Sequence, residues 1–415
     1  MKFAIVLLTA TLVTVSQGFL ATRQERKAFA DALEDPKMRA LLEDHMITST
    51  KYEEKKTLRD LGVQNYNCPG LMGKSKTVPT NVNSVRPADI NVVAALGDSL
   101  TAANGAGAQD PIEVILQYRG LAFQIGGDKG LENHVTIPNV LKKYNPQVFG
   151  ASTGIGTVNV WDVAKLDAGV PGAVSGDLYD QAVDLVAKMQ THQEIDVNND
   201  WKLIGIFIGG NDMCAYCKDG ATPAAHSAAN FAANIGRAVA YLQQKLPRTI
   251  ISITGMFQMQ MLRQVDSNQM FCQALHLFEC GCESDDAFTN QQMQAASQAY
   301  QAAQMQLQNN GTFESDTFTL VIQPFLRDVT QPPLTSDGKV DLDFFAPDCF
   351  HFSQLGHAVA AKGLWNNIVQ AVGSKTTNYD LSNEATALAC PDPNCPFIRT
   401  TKNSANCAPY QTPGM

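Results

Sequence analysis

Four apolar, β-rich runs recur along this chain, and each ends at a glycine, a loop or a proline. Stretches with helical periodicity separate one run from the next. Strands that alternate with helices pair in parallel, and a parallel sheet is covered by helices. The sequence therefore predicts an α/β fold with a mainly parallel central sheet, whose strands are Ile90 to Leu96, Lys202 to Ile208, Arg248 to Thr254 and Phe318 to Ile322.

Helical periodicity is clearest in four further segments. Before the sheet, residues 19–62 interleave charged and apolar positions, which predicts one or two amphipathic helices. After Gly373 the chain becomes polar and carries cysteines and prolines, which is typical of an extension that disulfides hold against the main domain. The expected organisation is a signal peptide (1–18), an N-terminal arm (19–85), a central α/β domain (86–375) and a C-terminal extension (376–415). The four helical segments of the central domain are Asp177 to Gln190, His226 to Gln244, Asp285 to Gln308 and Gln354 to Val372.

The first 18 residues have the pattern of a secretory signal. Lys2 precedes an apolar run from Phe3 to Val15, and Ser16-Gln17-Gly18 places small residues at a cleavage site. The run is shorter than the roughly 20 residues that span a bilayer, and we find no second span or lipid-anchor signal. We therefore expect a secreted protein whose contact with lipid surfaces is at most transient.

Charge and composition exclude several classes of function. The formal net charge is -9, and the basic residues form no cluster, so nucleic acid is not an expected partner. A hydrophobic content of 45% in 415 residues supplies a large core, and 17% charged residues argue against a disordered chain. No obligate protein partner is evident from the sequence.

Ten cysteines, an even number, follow the signal segment, so disulfides are expected. Cys214-Ala-Tyr-Cys217 has the spacing of half a zinc site but lacks a second close pair of ligands, so we predict no metal. Cross-links at Cys214, Cys217 and Cys349 would brace two loops that carry candidate catalytic residues. Asn310-Gly311-Thr312 is a glycosylation sequon on a turn.

Ser99 directly follows the first predicted strand, in the block Gly97-Asp98-Ser99-Leu100. The carboxyl ends of parallel strands are where open α/β sheets bind ligands. A helix beginning near Ser99 would direct backbone N–H groups at a developing oxyanion. Taken alone, the block is better explained as a capped turn between a strand and a helix.

Asp348 and His351 lie three residues apart near the end of the predicted domain. On a turn, this spacing lets the carboxylate hold one imidazole nitrogen while the other faces a serine hydroxyl. The pair therefore supplies a candidate base and its orienting partner for Ser99. For His357, on the following helix, we favour a buried polar contact.

Gly209-Gly210-Asn211-Asp212 also ends a buried strand. The side-chain amide of Asn211 could donate to an oxyanion, although asparagine and aspartate also favour plain turns. Asp212 is expected to cap or brace this turn without reacting.

Together, the blocks Gly97 to Leu100, Gly172, Gly209 to Asp212 and Asp348 to His351 resemble the GDSL or SGNH hydrolase superfamily. Longer strings, from residue 60 to about 402, resemble its animal phospholipase B branch: Tyr118-Arg-Gly-Leu, Ile125-Gly-Gly-Asp128, Asn211-Asp-Met-Cys-Ala-Tyr-Cys217, Asp348-Cys-Phe-His-Phe-Ser-Gln354 and Gly373-Ser-Lys375. The resemblance implies an SGNH-like three-layer α/β/α fold.

By the same resemblance, Ser99 is the nucleophile, His351 the base and Asp348 its partner. Ser99, Gly172 and Asn211 form the oxyanion hole. Family members usually show an asparagine and a small residue ahead of that glycine, whereas this chain has Asp167 and Pro171. The implied reaction is two-step acyl transfer from phospholipids and lysophospholipids, with no metal or organic cofactor.

Two other functions stay open on the sequence alone. One is an esterase of short-chain or carbohydrate esters, and the other is a lipid-binding protein without catalysis. A methionine-rich connection could line an acyl groove, although packing beneath a loop explains it equally well; its members are Met256, Met259, Met261, Met270 and Phe271.

Overall fold

The computed structural model describes residues 58–109, 113–217, 225–266, 272, 276 and 280–411. A four-stranded, all-parallel sheet forms its centre, in the order β1-β2-β3-β4. The strands are β1 (Ile90–Gly97), β2 (Trp201–Phe207), β3 (Thr249–Thr254) and β4 (Phe318–Gln323). Nearly every residue of these strands is buried, which explains why they read as continuous apolar runs.

Helices cover both faces of the sheet, so the predicted α/β architecture is confirmed. On one face, α5 packs between α3 and α7; on the other, α8 packs against α1 and β4. The helices are α1 (Ile137–Tyr144), α2 (Trp161–Ala164), α3 (Leu178–Thr191), α4 (Gly210–Tyr216), α5 (Ala228–Lys245), α6 (Leu262–Asp266), α7 (Asn290–Asn309), α8 (Gln354–Val369) and α9 (Thr401–Ala405).

The chain after β1 differs from the sequence-based expectation. Residues 98–107 form successive turns, so the prediction of a helix that begins near Ser99 is wrong. The N–H of Ala102 reaches the carbonyl of Asp98, but Ala103 then takes a left-handed φ of 54°. This residue ends the single helical turn, because L residues do not continue a right-handed helix in that conformation.

The segments that flank the sheet domain pack against each other. A disulfide joins Cys68 to Cys390, and the hydroxyl of Tyr66 donates to the carbonyl of Ala389. The N–H of Ile398 donates to the carbonyl of Val85. The C-terminal segment is therefore pinned as its composition predicts. The signal segment (1–18) and residues 19–57 of the expected arm lie outside the described residues, and the domain boundaries themselves stay a prediction.

Within the described ranges, no helix combines the length and the apolar character needed to cross a bilayer.

Candidate active site

His351 bridges Ser99 and Asp348 in the folded chain. Its Nε2 lies 2.8 Å from Ser99 Oγ, and its Nδ1 lies 2.5 Å from Asp348 Oδ2. Ser99 is 252 residues away from His351 in sequence, so only the fold brings the two together. All three side chains are buried. This hydrogen-bonded series of hydroxyl, imidazole and carboxylate can accept a proton from the hydroxyl and stabilise the resulting imidazolium.

Asp348 is held as a carboxylate by its own turn. Burial raises the pKa of this group. The His351 imidazole and the N–H groups of Phe350 and His351 lower the pKa by more than burial raises it, so the net pKa lies below its ordinary value. Both N–H groups donate to Oδ1 at 3.0 Å. Cys349 takes a φ of 63° inside the turn, a strained left-handed conformation for this residue type.

Ser99 is positioned by the end of β1. A side chain at Gly97 would place its Cβ 2.3 Å from the carbonyl oxygen of Phe207, so only glycine lets the two strands approach here. Gln181, on α3, makes two hydrogen bonds with the backbone of this glycine. Sequence reasoning missed Gln181, because a single buried amide on a helix leaves no periodic signal.

Asp98, between Gly97 and Ser99, lines the same cavity as the serine. Its Oδ1 accepts from the N–H of Leu100 at 2.9 Å. Burial raises the pKa of Asp98 to about 7, and the negative charge of Asp212 adds to this effect, while the Leu100 N–H and His351 oppose it. A carboxyl group with this pKa exchanges protons near neutral pH, next to the candidate nucleophile.

Gly172 lies in a tight turn from Val170 to Ala173. The N–H of Ala173 donates to the carbonyl of Val170, and Gly172 has a φ of 76°, as a glycine following proline has in a type II turn. The N–H of Val170 donates to the carbonyl of Gly97, which anchors the turn to the end of β1.

Asn211 lies in the first turn of α4 and lines the cavity at Ser99. Its Nδ2 donates to the carbonyl of Ala173 at 2.9 Å, so the asparagine is tied to the turn that contains Gly172. An amide nitrogen carries two hydrogens, so this group can donate a second hydrogen bond, for example to an oxyanion. The structure thus brings Gly172 and Asn211 into one connected group of loops with Ser99.

Asp167 belongs to a buried ion pair. It stands ahead of Gly172, where members of the resembled family usually have an asparagine. Its Oδ2 lies 2.8 Å from Arg119 Nη1, and neither side chain is exposed. The guanidinium also donates to the carbonyls of Asp167, Gly169 and Gly156. Arg119 therefore shapes the segment that leads to the Gly172 turn. This pairing could not be predicted from the sequence, because the two residues are far apart in the chain.

The cavity beside Ser99 has mainly apolar walls. Apart from Asp98, Ser99, Gly210 and Asn211, its lining consists of Leu100, Phe257, Met261, Leu262, Phe345, Phe350 and Phe352. Of the methionine-rich connection, Met261 lines this cavity, while Met256 and Met259 are buried in the core. Met270 and Phe271 lie outside the described residues.

All ten cysteines are paired, as expected for an oxidising compartment. Cys214 pairs with Cys280, Cys217 with Cys282, and Cys272 with Cys349. The predicted cross-links at the loops of Asn211 and His351 are thus confirmed, and their partners are Cys272, Cys280 and Cys282. Over the described ranges, His, Cys, Asp and Glu form no group of three that could hold a metal ion.

His357 makes a buried polar contact, as the sequence analysis predicts. Its Nδ1 accepts from the N–H of Phe123 at 3.3 Å, and its ring lies near those of Phe123 and Phe352. Burial and the neighbouring His134 and His351 lower the pKa of His357 well below its ordinary value. The ring is therefore neutral and structural.

Comparison with known proteins identifies the family of this chain. The family model described as GDSL-like Lipase/Acylhydrolase matches residues 93–364. The chain is 39% identical over 338 residues to human "Phospholipase B1, membrane-associated", and 37% identical over 347 residues to the mouse protein of that name. These matches cover 80% and 82% of this chain, which spans only 23% of the length of either relative. The chain therefore belongs to the GDSL-like lipase and acylhydrolase family, a family of carboxylic ester hydrolases.

Proposed function

We propose that this chain is a secreted hydrolase that removes fatty-acyl chains from phospholipids and lysophospholipids, through an acyl-enzyme on Ser99. The observation that carries the proposal is the position of His351, within hydrogen-bond distance of both Ser99 Oγ and Asp348 Oδ2. A nucleophile bonded to a base that is itself oriented by a third group is the arrangement that acyl transfer requires.

In the proposed reaction, Ser99 Oγ attacks the ester carbonyl and its proton passes to His351 Nε2. The carboxylate of Asp348 stabilises the imidazolium that forms. His351 then protonates the leaving alcohol, and a water molecule repeats the sequence on the acyl-enzyme to release the fatty acid.

The oxyanion of each tetrahedral intermediate needs hydrogen-bond donors that are already in place. We assign this role to the N–H groups of Ser99 and Gly172 and to the amide of Asn211. Support comes from the hydrogen bonds that connect the three loops, since each donor is fixed relative to the others before substrate arrives.

The substrate class is supported by the cavity and by the relatives. Three phenylalanines, Phe345, Phe350 and Phe352, border Ser99 together with Leu100 and Met261. Walls of this kind bind an alkyl chain through burial of apolar surface. The name of the relatives, phospholipase B1, says that they act on phospholipids, and we extend that substrate class to this chain.

Secretion is supported by the five disulfides, which form in oxidising compartments. Asn310 is exposed directly after α7, where its sequon is open to a glycosyltransferase. If the chain is exported and glycosylated there, treatment with an endoglycosidase will lower its mass, and Asn310→Gln will abolish that shift. An unchanged mass in both proteins contradicts the modification.

The test of the activity is fatty-acid release from lysophosphatidylcholine and from a diacyl phosphatidylcholine. Ser99→Ala should abolish release, while Ser374→Ala, at an exposed serine, should leave it unchanged. A series of p-nitrophenyl esters from C2 to C16 separates a long-chain hydrolase from a short-chain esterase. Wild-type protein that is inert on every ester, and that no fluorophosphonate labels at Ser99, would falsify the proposal and favour a lipid-binding role.

A further inference from the structure

Asn211 and its neighbour Asp212 bind the same short stretch of chain. Asn211 Nδ2 donates to the carbonyl of Ala173, and Asp212 accepts from Ser175 twice. The N–H of Ser175 donates to Oδ2 at 2.8 Å, and its hydroxyl donates to Oδ1 at 2.7 Å. Two adjacent side chains of α4 therefore clasp residues 173–175, immediately after Gly172.

Asp212 is the stronger half of this clasp. Its side chain is almost fully buried, and hydrogen bonds to an ionised carboxylate are about twice as strong as those between neutral groups. Asn234, on α5, donates to the same Ser175 hydroxyl at 3.1 Å, which fixes the hydroxyl between two elements. Both carboxylate oxygens of Asp212 accept from Ser175, and His226 Nδ1 lies 3.7 Å from Oδ1, so the group anchors residues 173–175 to α4.

The other end of the same stretch is fixed to β1, where the N–H of Val170 donates to the carbonyl of Gly97. The turn containing Gly172 is thus held between the end of β1, which carries Ser99, and the start of α4, which carries Asn211. Among the hydrogen bonds of the described residues, loss of those between Asp212 and Ser175 leaves the bond from Asn211 Nδ2 to Ala173 as the attachment to α4.

We infer that Asp212 is a positioning residue that sets the separation between the Gly172 N–H and the Asn211 amide, the two donors assigned above to the oxyanion hole. This inference rests on the proposed function. A donor misplaced by about 1 Å can cost on the order of a hundredfold in rate, so the clasp affects the transition state far more than the bound substrate.

The test compares two inhibitors that share one alkyl chain. In a trifluoromethyl ketone, Ser99 Oγ bonds to the carbonyl carbon, its proton passes to His351 Nε2, and the carbonyl oxygen becomes an oxyanion. The matching trifluoromethyl alcohol fills the same cavity but forms no oxyanion. Asp212→Asn should weaken ketone binding and lower kcat by about tenfold to a hundredfold, with KM and alcohol binding nearly unchanged.

Ser175→Ala tests the same clasp without changing any charge, and it should weaken ketone binding in the same selective way. Asp184→Asn is the matched control, because Asp184 is a half-exposed carboxylate on α3 that pairs with Lys188, outside the stretch of residues 173–175. The control should bind both inhibitors as the wild type does. Ser175→Ala also keeps the inference testable if Asp212→Asn fails to fold.

The inference is overturned if the variants lose only stability or active fraction, while each remaining active site keeps the wild-type kcat and ketone affinity. Equal weakening of both inhibitors also overturns it, because that result indicates a distorted cavity. Failure of the proposed function looks different: the wild-type protein itself then shows no preference for the ketone over the alcohol.

Discussion

The side-chain amide of Gln181 makes two hydrogen bonds with the backbone of Gly97, accepting from its N–H at 2.9 Å and donating to its carbonyl at 2.8 Å. A side chain of α3 thus makes, at the end of β1, the kind of paired backbone hydrogen bonds that a neighbouring strand makes elsewhere. Gly97 is two residues before Ser99, so the contact fixes the backbone from which the candidate nucleophile projects.

Gln181→Leu should therefore lower both stability and activity. The buried N–H of Gly97 would lose its acceptor, while its carbonyl would keep the bond from Val170. The expected cost is about 2 kcal/mol in the free energy of unfolding, and kcat should fall about tenfold as Ser99 loses its fixed position. Denaturant unfolding and ester hydrolysis measure the two effects. Gln190→Leu, at an exposed position of the same helix, is the control. Wild-type kcat in Gln181→Leu contradicts the positioning role.

Asp348→Asn should preserve the turn but weaken the base. An asparagine oxygen can still accept from the N–H groups of Phe350 and His351, while the charge that stabilises the His351 imidazolium is lost. We expect kcat to fall by about 10³-fold to 10⁴-fold with little change in KM. Steady-state kinetics on one soluble ester measures this. A loss below tenfold means that Asp348 has no electrostatic role.

Removing the disulfide between Cys272 and Cys349 should impair the His351 turn. The double variant Cys272→Ala with Cys349→Ala should lose about 2 to 4 kcal/mol of stability, and its kcat should fall because the left-handed residue 349 loses its tether. The control is the double alanine variant of Cys395 and Cys407, which closes a loop remote in sequence from the site. Equal kcat in the two double variants rejects a role in catalysis.

Asp167→Asn should be strongly destabilising. It leaves the Arg119 guanidinium fully buried without a carboxylate, and breaking a buried pair costs about 3 to 5 kcal/mol. The matched change at the half-exposed pair of Asp184 and Lys188, Asp184→Asn, should leave the melting temperature unchanged within error. Calorimetry of the two variants compares them. Equal melting temperatures would mean that the buried pair contributes nothing beyond a surface pair.

His134 should make the protein sensitive to acid. Burial lowers the pKa of His134 to about 4 from 6.5. Between these pH values His134 is protonated in the unfolded chain but not in the folded chain. Its contribution to the free energy of unfolding is therefore fully present above pH 6.5 and declines as the pH falls. From pH 7 to pH 5, the wild type should lose about 2 kcal/mol more than His134→Gln, whose amide can still donate to the Leu121 carbonyl. Parallel loss in both proteins contradicts this assignment.

The strands were predictable because a parallel strand covered on both faces is apolar throughout. The predicted and observed ends of β1 to β4 differ by at most two residues. The meeting of Ser99 with His351 was predictable on other grounds. Ser99 directly follows a buried parallel strand, where open α/β sheets bind ligands, while the role of His351 came from its spacing to Asp348 and from the family resemblance.

The polar framework around the site could not be predicted in this way. Gln181, Asp212 and Arg119 each bind backbone or polar groups that lie far away in sequence, and no periodicity marks such contacts. Disulfide connectivity is equally hidden, because ten cysteines allow many pairings and only the fold selects one. The turns after Asp98 show a local exception, where a left-handed Ala103 overrides the usual passage from strand to helix.

The disulfide between Cys68 and Cys390 spans 322 positions and so encloses the candidate nucleophile, its base and the whole sheet in one covalent ring. A protease that cuts a single peptide bond anywhere inside this ring cannot release a fragment. Nicked molecules will migrate as one species in non-reducing electrophoresis and separate only after reduction. Damage to the backbone and disassembly of the enzyme thereby become two events that can be observed independently.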